Sequence, residues 1–415
     1  DRRDVLPLTA AQRGMWFAET LSPDYSVNIA QYVDIRHEPG GLDYALLEQC
    51  VYEVGKASEF GYVRLAEVDG VPVQYVDLEY DQHVDVIDFR AHADPEAAAM
   101  TWMKAEYRRP VDLLTDQFIV ISILKISDER TFWYNRTHHI ILDGYAALSI
   151  MRRTVDRYNA IRRGQEPKEK PSADMAEIVE YEESYQRSSR RETDREHWLR
   201  RVADLPERVT LAQSASTAPL SFDNKVAGEE LRPALQSALE ELATELNSSI
   251  AVLLTSAFGA FLSRMTGTDD IVMSLPVTGR ATAKIKASGG MVSNVLPIRL
   301  RGVQSRTVRE LVRDAQLELT GALRHQRYRS DDIRRDAGLD GGSVSFGPTI
   351  NMVFFDNEVA IDGTTMEYRI LSSGILEDLL INLYQSSPGA PLVVDLHGNP
   401  NLYTDEQMAA HHRRF

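Results

Sequence analysis

His138-His139-Ile140-Ile141-Leu142-Asp143-Gly144 is the stretch of this 415-residue chain whose residue types and spacing could do chemistry. The two histidines end a β-like run, Thr131 to Thr137, and precede a long amphipathic segment. Neighbouring side chains on an extended backbone point to opposite faces, so the two rings cannot act as one chelate. The expected arrangement has one imidazole facing a cavity and the other built into the fold. Asp143 is placed to hold the local loop or to pair with a distant cation. Gly144 is expected to permit a tight backbone turn before the helix. One exposed imidazole, a structural carboxylate and a glycine turn suit acyl transfer. The remaining histidines lack Cys or carboxylate partners at ligand spacing, so no metal site is expected. Neither a Gly-x-Ser-x-Gly elbow nor a Gly-x-x-x-x-Gly-Lys phosphate loop occurs, which argues against a hydrolase-type serine and against ATP use.

The elements that must position these residues alternate between strand and helix patterns. Tyr44 to Phe60 has helical spacing, and Val63 to Val76 reads as two short strands around Asp69-Gly70. Asp94-Pro95-Glu96 starts a helix that runs to about Arg109, before Pro110. Phe118 to Ile126 and Thr131 to Thr137 are strands, and Ala146 to Arg163 is a helix closed by Gly164. Gln165 to Ser172, polar and broken by two prolines, is the expected connection between lobes. The second half repeats the alternation. It has helices at Pro233 to Leu246, Ile250 to Met265 and Val308 to Arg327. Its strands lie near Asp270 to Pro276, Val292 to Leu300, Pro348 to Phe355, Met366 to Leu371, Leu379 to Gln385 and Leu392 to His397. An α/β (α+β) protein of two related lobes follows, divided as 1–170, which carries the histidine motif, and 171–415.

Composition narrows the function classes. A net charge of −16 without a basic stripe argues against nucleic acid. No secretory leader and no apolar run of about 20 residues is seen, which excludes a membrane span and leads to the expectation of a cytoplasmic setting. The lone Cys50, among Leu46, Leu47 and Val51, reads as a small buried hydrophobe. The start at Asp1 and the stop in helix-like sequence suggest a segment of a longer protein.

The pattern His-His-x-x-x-Asp-Gly resembles the signature of condensation domains of nonribosomal peptide synthetases, within the chloramphenicol acetyltransferase-like superfamily. Leu8-Thr9-Ala10-Ala11-Gln12-Arg13-Gly14-Met15-Trp16-Phe17 resembles the family's opening motif. Asp270 to Arg280 and Gly290 to Arg299 resemble its later strands, and His325-Gln326-Arg327-Tyr328 and His397-Gly398-Asn399-Pro400 its late motifs. Trp133-Tyr134-x-Arg136-x-His138-His139 is nearest to the siderophore-synthetase type. The resemblance covers nearly the whole chain and implies a V-shaped pseudo-dimer with a tunnel between its lobes.

It further implies that His139 is the catalytic residue facing the tunnel, with His138 as structural support. Asp143 would pair with Arg280 and bridge the lobes. Trp16 and Phe17 would pack beneath the site, and Ser293, Asn294, Asn351 and Asp378 would line the substrate channel. Where relatives carry His-Glu-x-Leu-Arg, this chain has Ser58 in place of the His, with Gly61-Tyr62 at the Leu-Arg pair. Gly61 is either a plain turn or a gap that widens the acceptor's path. The implied reaction joins a donor acyl or peptidyl thioester to the α-amine of an acceptor aminoacyl thioester. Both would ride on 4'-phosphopantetheine arms of donor and acceptor peptidyl carrier domains, beside neighbouring synthetase domains, with no cofactor bound by this chain. The alternatives are an epimerisation domain, whose Glu-Gly-His-Gly-Arg-type segment is missing here, a non-catalytic carrier-recruitment platform, and an acyltransferase with a soluble acyl donor.

Overall fold

The computed structural model describes residues 5–21, 26–168, 171–213, 219–221, 223–339, 345–354, 359–386 and 389–415. The chain forms two compact mixed α/β units. The first comprises residues 1–186, 280–292 and 359–374, the second 187–279, 293–358 and 375–415. This grouping differs from the division expected after residue 170. The helix Met175–Gln186 belongs to the first unit because Met175, Ile178 and Val179 enter its core beside Phe60, Ile140 and Leu142.

The first unit is built on a five-stranded sheet. Its strand order is Thr364–Ser373, Asn28–His37, Arg130–His138, Ile119–Ser127 and Val84–Asp88, antiparallel except for the last pair. The period-2 alternation of strands gives the sheet two distinct faces. Ala30, Leu124, Phe132 and Tyr134 meet Ala99, Met103 and Tyr107 of the helix Pro95–Tyr107 on one face. Residues of opposite parity, including Val33, Ile121, Trp133 and Asn135, face the helices Tyr44–Ser58 and Gly144–Arg162. Caps set the helix starts: Asp43, Asp94 and Asp143 each accept the N3 amide, a contact worth about 0.5–2 kcal/mol. The expected turn at Asp69-Gly70 joins Val63–Val68 to Val71–Val76. Both turn residues have positive φ (52° and 76°), as a two-residue hairpin requires.

The second unit carries a six-stranded sheet. Its order is Asn294–Arg301, Asp270–Val277, Thr349–Phe354, Leu379–Gln385, Leu392–Gly398 and Lys225–Glu230. The helices Ile250–Thr266 and Val308–Arg324 pack their apolar residues into its core. The strand Thr364–Ser373 comes from the second half of the sequence but pairs with Asn28–His37 in the first unit's sheet. Among the described residues, no single helix is long and apolar enough to cross a membrane. Cys50 is buried, and burial pushes its thiol up to about 11.

Candidate active site in the first unit

The strand Arg130–His138 delivers the two histidines to a turn, and each ring meets a different environment. His138 is fully buried. Its Nδ1 accepts the Ile140 amide at 3.3 Å, which leaves the proton on Nε2, 3.0 Å from Glu19 Oε1 and 3.1 Å from Oε2. The Glu19 carboxylate is itself buried and also accepts the Val27 amide at 3.2 Å. Glu19 therefore fixes both His138 and the segment that packs against its neighbour. The preceding strand residue Arg136 is buried too, held by Glu106 at 3.1 Å and by the carbonyl of Gln117 at 3.0 Å.

His139 is held through its backbone, whose amide donates to the Val27 carbonyl at 2.8 Å. Its ring is half-buried, and its Nδ1 makes no hydrogen bond to another described residue. A Cβ on Gly374 would lie 3.8 Å from His139 Cδ2, and Gly374 has φ +92°, a conformation suited to glycine. Burial lowers the His139 pKa below the ordinary histidine value, and the nearby His138 acts the same way. The Asp143 charge and a contact with its own backbone oppose them and are outweighed. Burial thus favours the neutral form of the ring.

Asp143 ends the intervening loop and is 1% exposed. Oδ1 accepts the Ala146 amide at 2.9 Å; Oδ2 accepts the Val292 amide at 3.0 Å and Arg280 Nη1 at 2.8 Å. Arg280, also 1% exposed, donates Nη2 to the carbonyls of Gly289 and Gly290 at 3.2 and 3.0 Å. Burial alone would raise the Asp143 carboxyl. The charge and hydrogen bond of Arg280, joined by the two amides, reverse that and hold it below the usual carboxylate range. The expected ion pair forms, but both partners belong to the first unit, so within the fold it ties residues 280–292 to the histidine loop rather than bridging lobes.

Two further expectations change. Gly144 does not adopt a left-handed φ, and a Cβ there would meet nothing within 4 Å; the turn is made by the Asp143 cap instead. Trp16 is buried but Phe17 is 56% exposed, because consecutive residues of a helix cannot both face one core. Gly61 lies in the short turn Phe60–Tyr62 and lines a cavity of the first unit, where a Cβ would stand 3.4 Å from Gln82 Oε1. Gly289 and Gly290 hold the site through their backbone. Their carbonyls hold Arg280, and a Cβ on Gly289 would stand 2.2 Å from the Phe60 ring.

The four channel candidates lie in the second unit. Asn294 donates to the carbonyls of Gln326 (3.0 Å) and Tyr328 (2.7 Å) and accepts the Ser330 amide at 2.9 Å. The Ser293 carbonyl accepts from Arg329 at 2.7 Å. Asn351 donates to its cross-strand partner Asn382 at 2.8 Å. Asp378 accepts from Thr210 at 3.1 Å and Tyr403 at 2.5 Å, and burial raises its carboxyl. These bonds organise the second unit's own loops and strands.

Comparison with known proteins agrees with this geometry. The chain is 35% identical over 417 residues to the dimodular nonribosomal peptide synthase of Bacillus subtilis (strain 168), covering 100% of this chain and 17% of that protein. It is 32% identical over 413 residues to the isonitrile lipopeptide synthase of Streptomyces coeruleorubidus, covering 99% of this chain and 28% of that protein. The chain thus spans less than a third of the length of either relative. Among solved structures, a variant of the starter condensation domain of rhizomide synthetase RzmA in complex with C8-CoA superposes with a TM-score of 0.90 at 32% identity, covering 99% of this chain and 92% of that one. The first condensation domain of the CDA synthetase gives a TM-score of 0.89 at 28% identity, covering 99% and 94%. The family model described as Condensation domain matches residues 2–415, and the chain belongs to the condensation-domain family of nonribosomal peptide synthetases.

Proposed function

We propose that this chain joins a donor acyl thioester to the α-amine of an acceptor aminoacyl thioester, each presented on the 4'-phosphopantetheine arm of a carrier domain. The observation that carries the reading is His139: a half-buried imidazole, its Nδ1 without a hydrogen bond among the described residues, whose strand and loop are fixed on both sides, by Glu19–His138 and by Asp143–Arg280. The acceptor nitrogen attacks the donor carbonyl carbon, a C–N bond forms and the C–S bond breaks. The nitrogen loses a proton, and the departing sulfur leaves as a thiol after gaining one. His139 accepts or orients the amine proton. A positioned base contributes typically about 10²–10⁴-fold, and holding two reactants in register about 7–11 kcal/mol, so positioning is the larger share. Thioesters are already activated, and this chain needs to supply only geometry and a proton acceptor.

One observation favours an apolar acyl group as donor. The starter condensation domain of RzmA was solved with C8-CoA in a form where a histidine and an arginine are both replaced by alanine. Those two residues stand eight positions apart. Eight positions after His139 this chain has Ala147, which lines an apolar cavity.

The test is a coupling reaction with two separately loaded carrier domains, read by mass spectrometry. The expected product is the condensed species on the acceptor carrier, with free thiol on the donor. An epimerised donor without coupling would support the epimerase alternative, and carrier binding without any product would support a recruitment platform.

A further inference from the structure

We propose that Tyr145 is a positioning residue for the condensation reaction: its ring shields the buried Asp143–Arg280 pair from water and so holds the loop that carries His139. This rests on the His139 reading given above. Every group in the argument belongs to the first unit.

Tyr145 follows Gly144 in the first turn of the helix Gly144–Arg162, where the Asp143 cap on the Ala146 amide fixes the backbone. Core packing does not account for its ring. The residue is 40% exposed and stands outside the core that Ile140, Leu142, Ala146 and Ala147 help to form. Its hydroxyl makes no hydrogen bond to another described residue. What the ring does meet is a cation. The Arg280 guanidinium carbon stands over it, 5.1 Å from the centroid, inside the cation–π reach of about 6 Å.

The guanidinium needs that cover. Its donors point along its plane, Nη1 to Asp143 and Nη2 to the carbonyls of Gly289 and Gly290, and its flat faces offer no donor. Arg280 is 1% exposed, although the next residue, Ala281, lies at the surface. The pair therefore sits just beneath solvent, and the part-exposed Tyr145 ring stands over it. Two opposite charges kept from water attract several-fold more strongly than two hydrated ones. Asp143 closes the turn that begins at His138 and His139. Water reaching Arg280 weakens its hold on Asp143 and loosens that turn. A displacement of about 1 Å at a reacting group can cost roughly 10²-fold in rate.

The segment around Arg280 has other supports, so loss of the ring leaves the fold in place. The Ala281 amide donates to the Tyr181 hydroxyl at 3.0 Å, and Lys284 pairs with Glu177. Ala173 donates its amide to Ser288, and Ile178 packs beside Gly290. None of these contacts involves Tyr145. The aromatic face is the part that acts, and the hydroxyl is dispensable.

The experiment measures amide formation between two loaded carrier domains over a range of acceptor concentrations. It compares wild type, Tyr145→Phe, Tyr145→Trp and Tyr145→Leu, each also in the His139→Ala background, with circular dichroism as the check on folding. Tyr145→Leu should lower kcat about three- to thirtyfold and leave the acceptor KM nearly unchanged. Tyr145→Phe and Tyr145→Trp keep an aromatic face and should keep most of the rate. Raising salt from about 0.05 to 0.5 M should widen the gap between wild type and Tyr145→Leu, because screening acts on a pair that water can reach. In the His139→Ala background, Tyr145→Leu should add little. Equal rates in all the Tyr145 variants, or Tyr145→Phe as slow as Tyr145→Leu, would overturn the proposal. So would a raised acceptor KM at unchanged kcat, which makes Tyr145 a substrate contact, or a full additional loss in the His139→Ala background. Each of those results leaves the His139 reading standing; His139→Ala coupling at the wild-type rate would end that reading and the proposal with it.

Discussion

Replacing Arg280 with alanine is the most informative perturbation of the buried pair. The change leaves Asp143, 1% exposed, with the amides of Ala146 and Val292 at 2.9 and 3.0 Å but no counter-charge. It also removes the Arg280 donor from the carbonyls of Gly289 and Gly290, of which Gly290 keeps the Asp143 amide at 3.3 Å. Removing one member of a buried pair costs about 3–5 kcal/mol, and the two surviving amide bonds put the expected loss near the lower end. At about 2–4 °C per kcal/mol for a unit of this size, the melting temperature should fall by about 10 °C at pH 7. The pH dependence has a definite sign. The Asp143 carboxyl is depressed in the fold. Its stabilisation is therefore fully present above the unfolded carboxylate value and is lost as pH falls through the folded one. The gap between wild type and Arg280→Ala should narrow in acid. Thermal unfolding with circular dichroism, with Asp143→Asn and the double variant completing the cycle, gives the coupling energy. A shift below about 2 °C at pH 7, or single-variant effects that simply add, would refute the reasoning.

The other predictions concern the two histidine environments. Glu19→Gln keeps the shape but removes the charge and leaves one acceptor oxygen where His138 Nε2–H and the Val27 amide now use two, and should lower kcat about tenfold or more with little change in KM; an unchanged kcat would relieve Glu19 of its positioning role. The His139 pKa is lowered in the fold, so the acid limb of kcat, measured with both carriers saturating, should fall below the ordinary histidine value of about 6.5. A limb above 7 would show the ring stabilised as a cation instead. His397 lies in the second unit's core with neither ring nitrogen hydrogen-bonded among the described residues, and burial lowers its pKa to about 4. The unfolded chain binds its proton first, so stability is lost as pH falls from about 6.5 towards 4. His397→Leu should remove that acid sensitivity and raise the melting temperature at pH 5, and a lower melting temperature there would contradict the assignment.

Much of this was readable from residue order alone, for reasons that are local. The strand Arg130–His138, the helix Gly144–Arg162 and the Asp69-Gly70 hairpin declare themselves through alternation, helical spacing and turn chemistry. The resemblance brought Asp143 and Arg280 together across 137 positions. What escaped is non-local. The strand Asn28–His37 is central in its sheet, yet its buried Gln31, Asp34 and His37 blur the apolar alternation. Those polar groups are admissible only because Tyr368, Arg130 and Thr131 satisfy them. Glu19 looks like any helical acid until the fold buries it against His138. Gly289 carries no sequence mark of the Phe60 ring that occupies the place a Cβ would take, and Gly144 carried a mark that the fold does not use.

The central claim is that the His139 ring carries the proton step. The most direct measurement is the single-turnover rate of amide formation with both loaded carriers saturating, wild type against His139→Ala, with folding confirmed by an unchanged melting temperature. The rate should fall by about 10²–10⁴-fold. Equal rates in the two proteins would contradict the account.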